Sequence, residues 1–202
     1  MSFKHILLAT ALAATSAAAH AITTVGGISF EDNAFADALY FSSGTYTTSG
    51  GSLASVLTDK NPDTYAFSFS EGAAVVLGFT DNNVFNLGGA DLAIFEVGIP
   101  DTITVTLGTQ TKSYTTTYTG FAAGPFNLNV TLVDFSDFGI VDGANLTYQT
   151  LGLSIASTSG TVPSLSLVGA LHTSAVPEAN ALTLALAGMG AVAGVAYRRR
   201  RG

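Results

Sequence analysis

The sequence predicts an all-β protein, and three observations carry this prediction. Short segments in which apolar or aromatic residues alternate with small polar ones recur between residues 22 and 175, as half-buried antiparallel strands require. Turns rich in Gly, Asn and Asp separate them, for example at residues 81–83 and 88–89. Almost nothing in this region has helical periodicity. Eight or nine short strands in about 155 residues predict one antiparallel β-sandwich or jelly roll.

The individual strands are predicted from their apolar positions. In chain order these positions are Tyr65, Phe67 and Phe69; Ile103, Val105 and Leu107; Phe126, Leu128, Val130 and Leu132; Leu151, Leu153 and Ile155; and Leu165 and Leu167. Each set places apolar side chains on one face of its strand and polar or small ones on the other. Two less alternating runs, residues 73–79 and 92–97, predict central strands that are covered more deeply. The 18 aromatic residues of the region supply a large core, which argues against disorder.

The composition excludes several classes of function. The 202 residues are 48% hydrophobic and 10% charged, against roughly 25% charged in ordinary soluble domains. Much of the apolar excess lies in residues 6–19 and 181–197. Between residues 22 and 176, two lysines stand against 13 Asp and Glu, a formal charge of −11. So acidic a body argues against nucleic-acid binding. The absence of cysteine excludes thiol catalysis, zinc–thiolate sites and disulfides.

The N-terminus has the three parts of a secretory signal peptide. Lys4 gives a positive start, residues 6–19 form an apolar stretch, and Ala19 and Ala21 form an A-x-A cleavage site. We therefore predict that signal peptidase removes residues 1–21. The alternative is an uncleaved membrane anchor, which would need about 20 apolar residues.

The C-terminus has three parts of a different kind. A Val176-Pro177-Glu178 motif is followed by residues 181–197, which carry no charge, and then by four arginines. Seventeen helical residues span ~26 Å, which predicts a short transmembrane helix. The arginines hold their end in the cytoplasm and leave the acidic body across the membrane. These arginines are Arg198, Arg199, Arg200 and Arg201.

This arrangement resembles the PEP-CTERM sorting signal of Gram-negative bacteria, over residues 176–202. The resemblance implies recognition by an exosortase, an integral-membrane cysteine protease that cuts near the Pro-Glu motif. It also implies a transient anchor in the inner membrane, followed by release or transfer to the outer surface or the extracellular matrix. Ala179 stands where many members have proline. The alternative is a plain tail anchor.

A second resemblance covers residues 56–107. The loop from Leu57 to Thr64 leads into a strand, and the string Gly-Gly-Ala-Asp-Leu-Ala-Ile-Phe-Glu-Val-Gly follows at residues 88–98. These segments resemble the discoidin and galactose-binding-like jelly rolls, although Lys60 follows Asp59 where that family usually has glycine. The resemblance implies a jelly-roll fold and a structural calcium site that uses Asp59, Thr64 and backbone carbonyls.

The same loop has two interpretations from its residues alone. Asp59, Asn61, Asp63 and Thr64 place several oxygen ligands on one short segment, as calcium prefers. Their spacing imitates the start of an EF-hand loop, but Thr64 stands where glycine is needed. The alternative is an Asx turn in which Asp59 and Asn61 accept hydrogen bonds from nearby amides. Asp59, Asp63 and Thr64 are thus the candidate calcium ligands, and calcium is the only cofactor predicted.

Sugar binding and catalysis have weaker signals. Tryptophan, the usual sugar platform, is absent, and tyrosines in a sandwich more often pack in the core. The tyrosines that could substitute are Tyr40, Tyr46, Tyr114, Tyr118 and Tyr148. A nucleophile triad would depend on His172 alone. Glu96 would gain a raised pKa if it were buried, but alternation places it opposite Phe95 and Val97, which predicts exposure to solvent.

These observations predict a secreted, exosortase-processed protein that is not an enzyme. Its expected role is structural or adhesive, at the cell surface or in the exopolysaccharide matrix of a Gram-negative bacterium. The alternatives are a non-catalytic carbohydrate-binding module and a polysaccharide-acting hydrolase with paired carboxylates. The expected partners are signal peptidase, the exosortase and extracellular polysaccharide.

Overall fold

Fifteen strands, all paired antiparallel, make up half of the part of the chain that the structure describes. This structure is a computed structural model, and it describes residues 21–146, 151–154 and 162–175. The prediction of an all-β protein is confirmed. The sorting motif, the apolar segment 181–197, the four arginines, Ala19 and Tyr148 lie outside the described residues. Within those ranges no helix is long and apolar enough to cross a membrane.

The strands and helices have the following bounds. The strands are β1 (Ile22–Val25), β2 (Ile28–Glu31), β3 (Ala38–Ser43), β4 (Thr47–Thr48), β5 (Ala66–Phe67), β6 (Ala74–Gly78), β7 (Asn82–Val84), β8 (Leu92–Val97), β9 (Thr102–Leu107), β10 (Gln110–Thr115), β11 (Thr117–Ala123), β12 (Phe126–Val133), β13 (Leu151–Ser154), β14 (Leu165–Ala170) and β15 (Thr173–Ala175). The helices are α1 (Leu53–Thr58) and a 3₁₀ helix (Phe135–Phe138).

Two larger sheets and two small ones share these strands. The five-stranded sheet has the order β10-β9-β13-β6-β3, and the six-stranded sheet has the order β11-β12-β8-β14-β5-β4. The hairpin β1-β2 and the pair β15-β7 complete the set. Neighbours in both larger sheets are often distant in sequence, so each sheet joins segments from across the chain.

The main core contains side chains from both larger sheets. Val75, Leu77 and Val105 come from the five-stranded sheet, and Leu92 and Ile94 come from the six-stranded sheet. Helix α1 adds Val56 and Leu57 to the same cluster. Its N-terminus is capped because the Ser52 hydroxyl accepts a hydrogen bond of 3.1 Å from the Ser55 amide.

A second core covers the other face of the six-stranded sheet. Phe95 of β8 and Leu128 of β12 pack there against Phe30 of the β1-β2 hairpin and against Phe35. Strand β8 is therefore covered on both faces, and all six of its residues are buried. This confirms the prediction that residues 92–97 form a deeply covered central strand.

A two-residue turn shapes the hairpin that covers this second core. Gly26 and Gly27 both have positive φ, +56° and +82°, as a type I′ turn between twisted strands requires. A Cβ on Gly26 would lie 2.9 Å from the ring of Phe95. Glycine at this position therefore serves both the turn and the close approach of the hairpin to β8.

Strand alternation is confirmed in β9 but not in β12. Ile103, Val105 and Leu107 are buried, as predicted. In β12, Phe126 and Leu132 are exposed, whereas Asn129 and Thr131 are buried. The prediction for β12 was wrong because both faces of this strand are partly covered: one by the main core and the other by the hairpin.

Candidate functional site

Strand β5 reverses the predicted orientation of its side chains. The sequence predicted Tyr65, Phe67 and Phe69 on the apolar face, but the small residues between them, Ala66 and Ser68, are the buried ones. Ala66 belongs to the main core, and the Ser68 hydroxyl donates to the Thr45 carbonyl oxygen at 2.7 Å. The aromatic side chains consequently face outward, and Phe69 is 75% exposed.

The outward rings form a connected aromatic surface. Tyr65 and Phe67 are nearly parallel, with ring centroids 6.4 Å apart and an angle of 23°. Phe126, at the start of β12, meets Tyr65 edge to face at 5.6 Å, and Phe69 meets Phe67 in the same way at 5.4 Å. The β5 segment and β12 thus bring together four rings that lie up to 61 residues apart in the sequence.

Three of these rings, Tyr65, Phe67 and Phe126, line a cleft of about 400 Å³, which we call the aromatic cleft. The polar side-chain groups of its lining are the Asp101 carboxylate and the hydroxyls of Tyr65 and Ser164, and the backbone adds further polar atoms. The lining residues are Tyr65, Phe67, Val97, Gly98, Ile99, Asp101, Phe126, Val162 and Ser164. Ile99 is 75% exposed at the rim. Large apolar side chains rimming a concave surface, with few polar groups, are typical of a ligand site.

Glu96 is fully buried, which contradicts the predicted exposure. Alternation does place it opposite Phe95 and Val97, but the face that it shares with Leu92 and Ile94 is turned toward the other sheet. The prediction failed because it assumed that only one face of β8 was covered. Burial raises the pKa of the Glu96 carboxyl to about 7, against the lowering effect of its hydrogen bonds.

Glu96 belongs to a set of four buried polar residues, which we call the buried carboxyl cluster: Glu96, Asp101, Thr116 and Asn129. The Thr116 hydroxyl donates to Glu96 Oε1, and the Asp101 amide donates to the same oxygen at 2.7 Å. Asn129 lies directly opposite Glu96 in the β12-β8 register. Its side-chain amide donates to the Gly98 carbonyl oxygen at 3.2 Å. Asp101 connects the cluster to the aromatic cleft, because it also lines that cleft.

His172 lies in a second cleft, of about 330 Å³, next to the β1-β2 hairpin. Its Nδ1 is 2.8 Å from Asp91 Oδ1, and Asp91 is completely buried. Asp91 also accepts hydrogen bonds from the backbone amides of Leu87 and Phe135, at 2.9 and 2.8 Å. These contacts hold the start of β8 against two loops, so His172 has a structural partner. Glu31 lines the same cleft.

The predicted calcium loop has the geometry of an Asx turn. Asp59 Oδ1 accepts from the Asn61 amide at 2.9 Å, and Asn61 Oδ1 accepts from the Asp63 amide at 3.1 Å. The Thr64 hydroxyl lies 2.9 Å from both carboxylate oxygens of Asp59. The loop thus brings Asp59 and Thr64 together, while the contact of Asp63 is through its backbone. Among the described residues no group of three His, Cys, Asp or Glu side chains could hold a metal ion.

Lys60 has a backbone conformation that glycine favours, with φ of +61°. Its ammonium donates to the Asp32 carbonyl oxygen at 2.6 Å. The backbone after Asp59 thus has a conformation that glycine adopts most easily. In this chain a lysine occupies the position, and its side chain binds the residue that follows strand β2.

The tyrosines considered as sugar platforms lie elsewhere. Tyr40 and Tyr118 are about half exposed, on β3 and β11. Tyr46 and Tyr114 pack against the main core. Burial raises the pKa of Tyr46 to about 12, and the pKa of Tyr114 is raised by burial and by its hydrogen bond to Asp137. None of these four lines the aromatic cleft.

Sequence reasoning missed Asp91, Asp101 and Asn129, which are all buried polar residues. Asn129 offered the clearest signal, since it sits between Leu128 and Val130 in a strand that could be covered on both sides. The described part of the predicted cleavage site, Ala21, is exposed, and its carbonyl oxygen accepts from the Asp32 amide at 3.0 Å.

The chain matches no known protein family, no curated protein and no solved structure. The fold and the two clefts therefore define an all-β protein with an aromatic cleft beside a buried carboxyl cluster.

Proposed function

We propose that this chain is an exported, non-catalytic β-sandwich module that binds neutral polysaccharide in its aromatic cleft. Its role is structural or adhesive, at the cell surface or in the exopolysaccharide matrix. The observation that carries the binding activity is the set of Tyr65, Phe67 and Phe126 at a concave surface, extended by the contact of Phe69 with Phe67. The sharing of one core by both larger sheets supports a sandwich of the jelly-roll type.

The chemistry of the cleft suits a sugar ring. A sugar has an apolar C–H face, which packs on aromatic rings, and hydroxyl groups at its edge, which need polar partners. Asp101, Ser164 and the Gly98 backbone supply polar groups on the same walls as the rings. A body with a formal charge of −11 repels an anionic polymer, which favours a neutral one.

The export part of the proposal rests on the two chain ends. Residues 1–21 have the parts of a signal peptide, and residues 176–202 have the Pro-Glu motif, apolar segment and arginines that resemble the PEP-CTERM signal. An exported location would place the aromatic cleft where polysaccharide is present. The hydrolase alternative gains no support, since each of the two clefts described is lined by one carboxylate, Asp101 or Glu31.

The test of sugar binding is retardation of the purified chain in gels that contain neutral or anionic polysaccharides. We expect binding to at least one neutral glucan and none to alginate. In Phe126→Ala the affinity should fall about tenfold or more, because a central aromatic contact is lost.

Phe41→Ala is the matched control, because Phe41 is exposed on β3, in the other large sheet, and does not line the cleft. It should bind like the parent chain. Equal loss of binding in both variants, or no retardation by any neutral polysaccharide, would refute the assignment of the cleft.

A further inference from the structure

Three buried side-chain oxygens in the buried carboxyl cluster have no hydrogen-bond partner. They are Glu96 Oε2, Asp101 Oδ1 and Asn129 Oδ1. Glu96 and Asn129 are completely buried, and Asp101 is 6% exposed. A buried acceptor without a partner destabilises the folded state, and more so when it carries charge. Three such atoms on neighbouring residues therefore require a common explanation.

The three residues are neighbours in the fold, and the charge of Asp101 acts on Glu96. The Asp101 amide binds Glu96 Oε1 at 2.7 Å, and Asn129 faces Glu96 across the β12-β8 pair. Opposed residues on one face of an antiparallel pair have Cβ atoms about 4.5–5.5 Å apart. The donors of the cluster already have partners, since the Thr116 hydroxyl binds Glu96, and the Asn129 amide binds the Gly98 carbonyl oxygen and also hydrogen-bonds to Glu96.

In the part of the chain that the structure describes, no lysine or histidine pairs with these carboxylates. Among the described residues the ion pair formed is His172 with Asp91, away from this cluster. The Lys60 ammonium donates to the Asp32 carbonyl oxygen, and Lys112 lies exposed on β10. Protonation of one carboxyl would satisfy its own oxygen and one acceptor, which leaves the third oxygen without a partner. A bound cation that contacts all three oxygens would satisfy them together.

We propose that Glu96, Asp101 and Asn129 form a calcium site behind the wall of the aromatic cleft. Carboxylate and amide oxygens are the ligands that calcium takes, and it accepts six to eight of them in flexible geometry. Magnesium suits the site less, because it holds most of its water and demands a regular octahedron. Asp101 lines the cleft and thereby provides the entry path from solvent.

This site differs from the loop at Asp59, Asp63 and Thr64. There the Asp59 carboxylate already accepts from the Asn61 amide and from the Thr64 hydroxyl, and the side chain of Asp59 is exposed. The buried cluster instead offers acceptors that the protein leaves without donors. The inference does not depend on polysaccharide binding.

The experiment is calcium titration of the purified full chain after treatment with EDTA and exchange into metal-free buffer. With CaCl2 up to about 10 mM we expect a rise in melting temperature and calorimetric binding of one ion per chain. Magnesium chloride at equal concentration should produce a smaller rise. Glu96→Gln and Asp101→Asn should each weaken calcium binding about tenfold or more.

Asp59→Asn and Asp63→Asn are the controls for the loop, and both should bind calcium like the parent chain. Far-UV circular dichroism shows whether each variant folds; if Glu96→Gln does not fold, Asp101→Asn decides. No calcium effect on the parent chain would overturn the proposal, as would a calcium effect that survives in Asp101→Asn or disappears in Asp59→Asn. Phe126→Ala should keep calcium binding, which separates failure of this site from failure of the sugar cleft.

Discussion

Glu96 lies in the central strand β8, where burial makes its ionised side chain unfavourable. Its backbone continues β8, and one carboxylate oxygen accepts from both Thr116 and the Asp101 amide. Burial nevertheless penalises the ionised form and raises the pKa to about 7 from 4.5. The native state therefore holds a proton on this group at pH values where the unfolded chain has released it.

This difference predicts a pH dependence of stability in calcium-free solution. Because the native pKa is the higher one, the contribution of Glu96 is fully present below about pH 4.5 and is lost as the pH rises through 7. The loss amounts to about 3 kcal/mol. Urea unfolding at pH 5 and pH 8 in EDTA should show this decrease in the parent chain, and a smaller one in Glu96→Gln. Asp142→Asn, on an exposed turn, is the control and should behave like the parent chain. Identical pH profiles for Glu96→Gln and the parent would contradict this account.

At the scale of elements, β14 depends on a residue without a side chain. Gly169 lies in β14, where a Cβ would stand 2.5 Å from Cε1 of the Phe30 ring. Phe30 in turn packs against Phe35 at 5.0 Å and Phe95 at 6.0 Å. The hairpin therefore sits directly on the backbone of the six-stranded sheet, and the fit leaves no room for a methyl group.

Gly169→Ala should accordingly destabilise the protein by about 1–3 kcal/mol, because the hairpin or the Phe30 ring must move. Gly88→Ala is the matched control. Gly88 has open space around the Cβ position and no positive φ, so its substitution should change the unfolding free energy by less than about 0.5 kcal/mol. Urea denaturation of both variants measures the difference. Equal stability of the two variants would show that the hairpin does not pack as described.

At the scale of the whole molecule, the acidic body and the two chain ends have separate tasks in our proposal. The ends direct export, and the folded part binds its ligand. The aromatic cleft and the buried carboxyl cluster both lie within residues 65–164, which include neither the signal segment nor the sorting motif. Removal of both ends would therefore leave these two sites covalently intact.

Intact-mass measurement of the protein isolated from its native envelope tests this division. We expect a mass that lacks residues 1–21 and the residues that follow the Pro-Glu motif. Substitution of the motif, as Pro177→Ala with Glu178→Ala, should leave the C-terminal segment attached, because the proposed recognition by an exosortase depends on this motif. Wild-type protein that retains Arg198–Arg201 would contradict the processing step.

The loop at residues 57–64 and strand β9 show what sequence reasoning could reach. The Asx turn was one of its two interpretations of the loop, and the hydrogen bonds of Asp59 and Asn61 match it. In β9 the period of two predicted the buried residues, because one face of that strand meets the main core. Local hydrogen bonding and local periodicity depend on short segments of the chain. Both can therefore be predicted from the sequence before the fold is known.

The alternating pattern by itself determined that the chain forms sheets and where many strands run, since strand periodicity is a local property. The tertiary structure alone decided which face of each strand is covered. Packing on both sides of β8 buried Glu96, and outward rotation of the β5 segment placed Tyr65 and Phe67 in the aromatic cleft beside Phe126. These outcomes depend on contacts between strands far apart in the chain, and a local pattern contains no information about its distant neighbours.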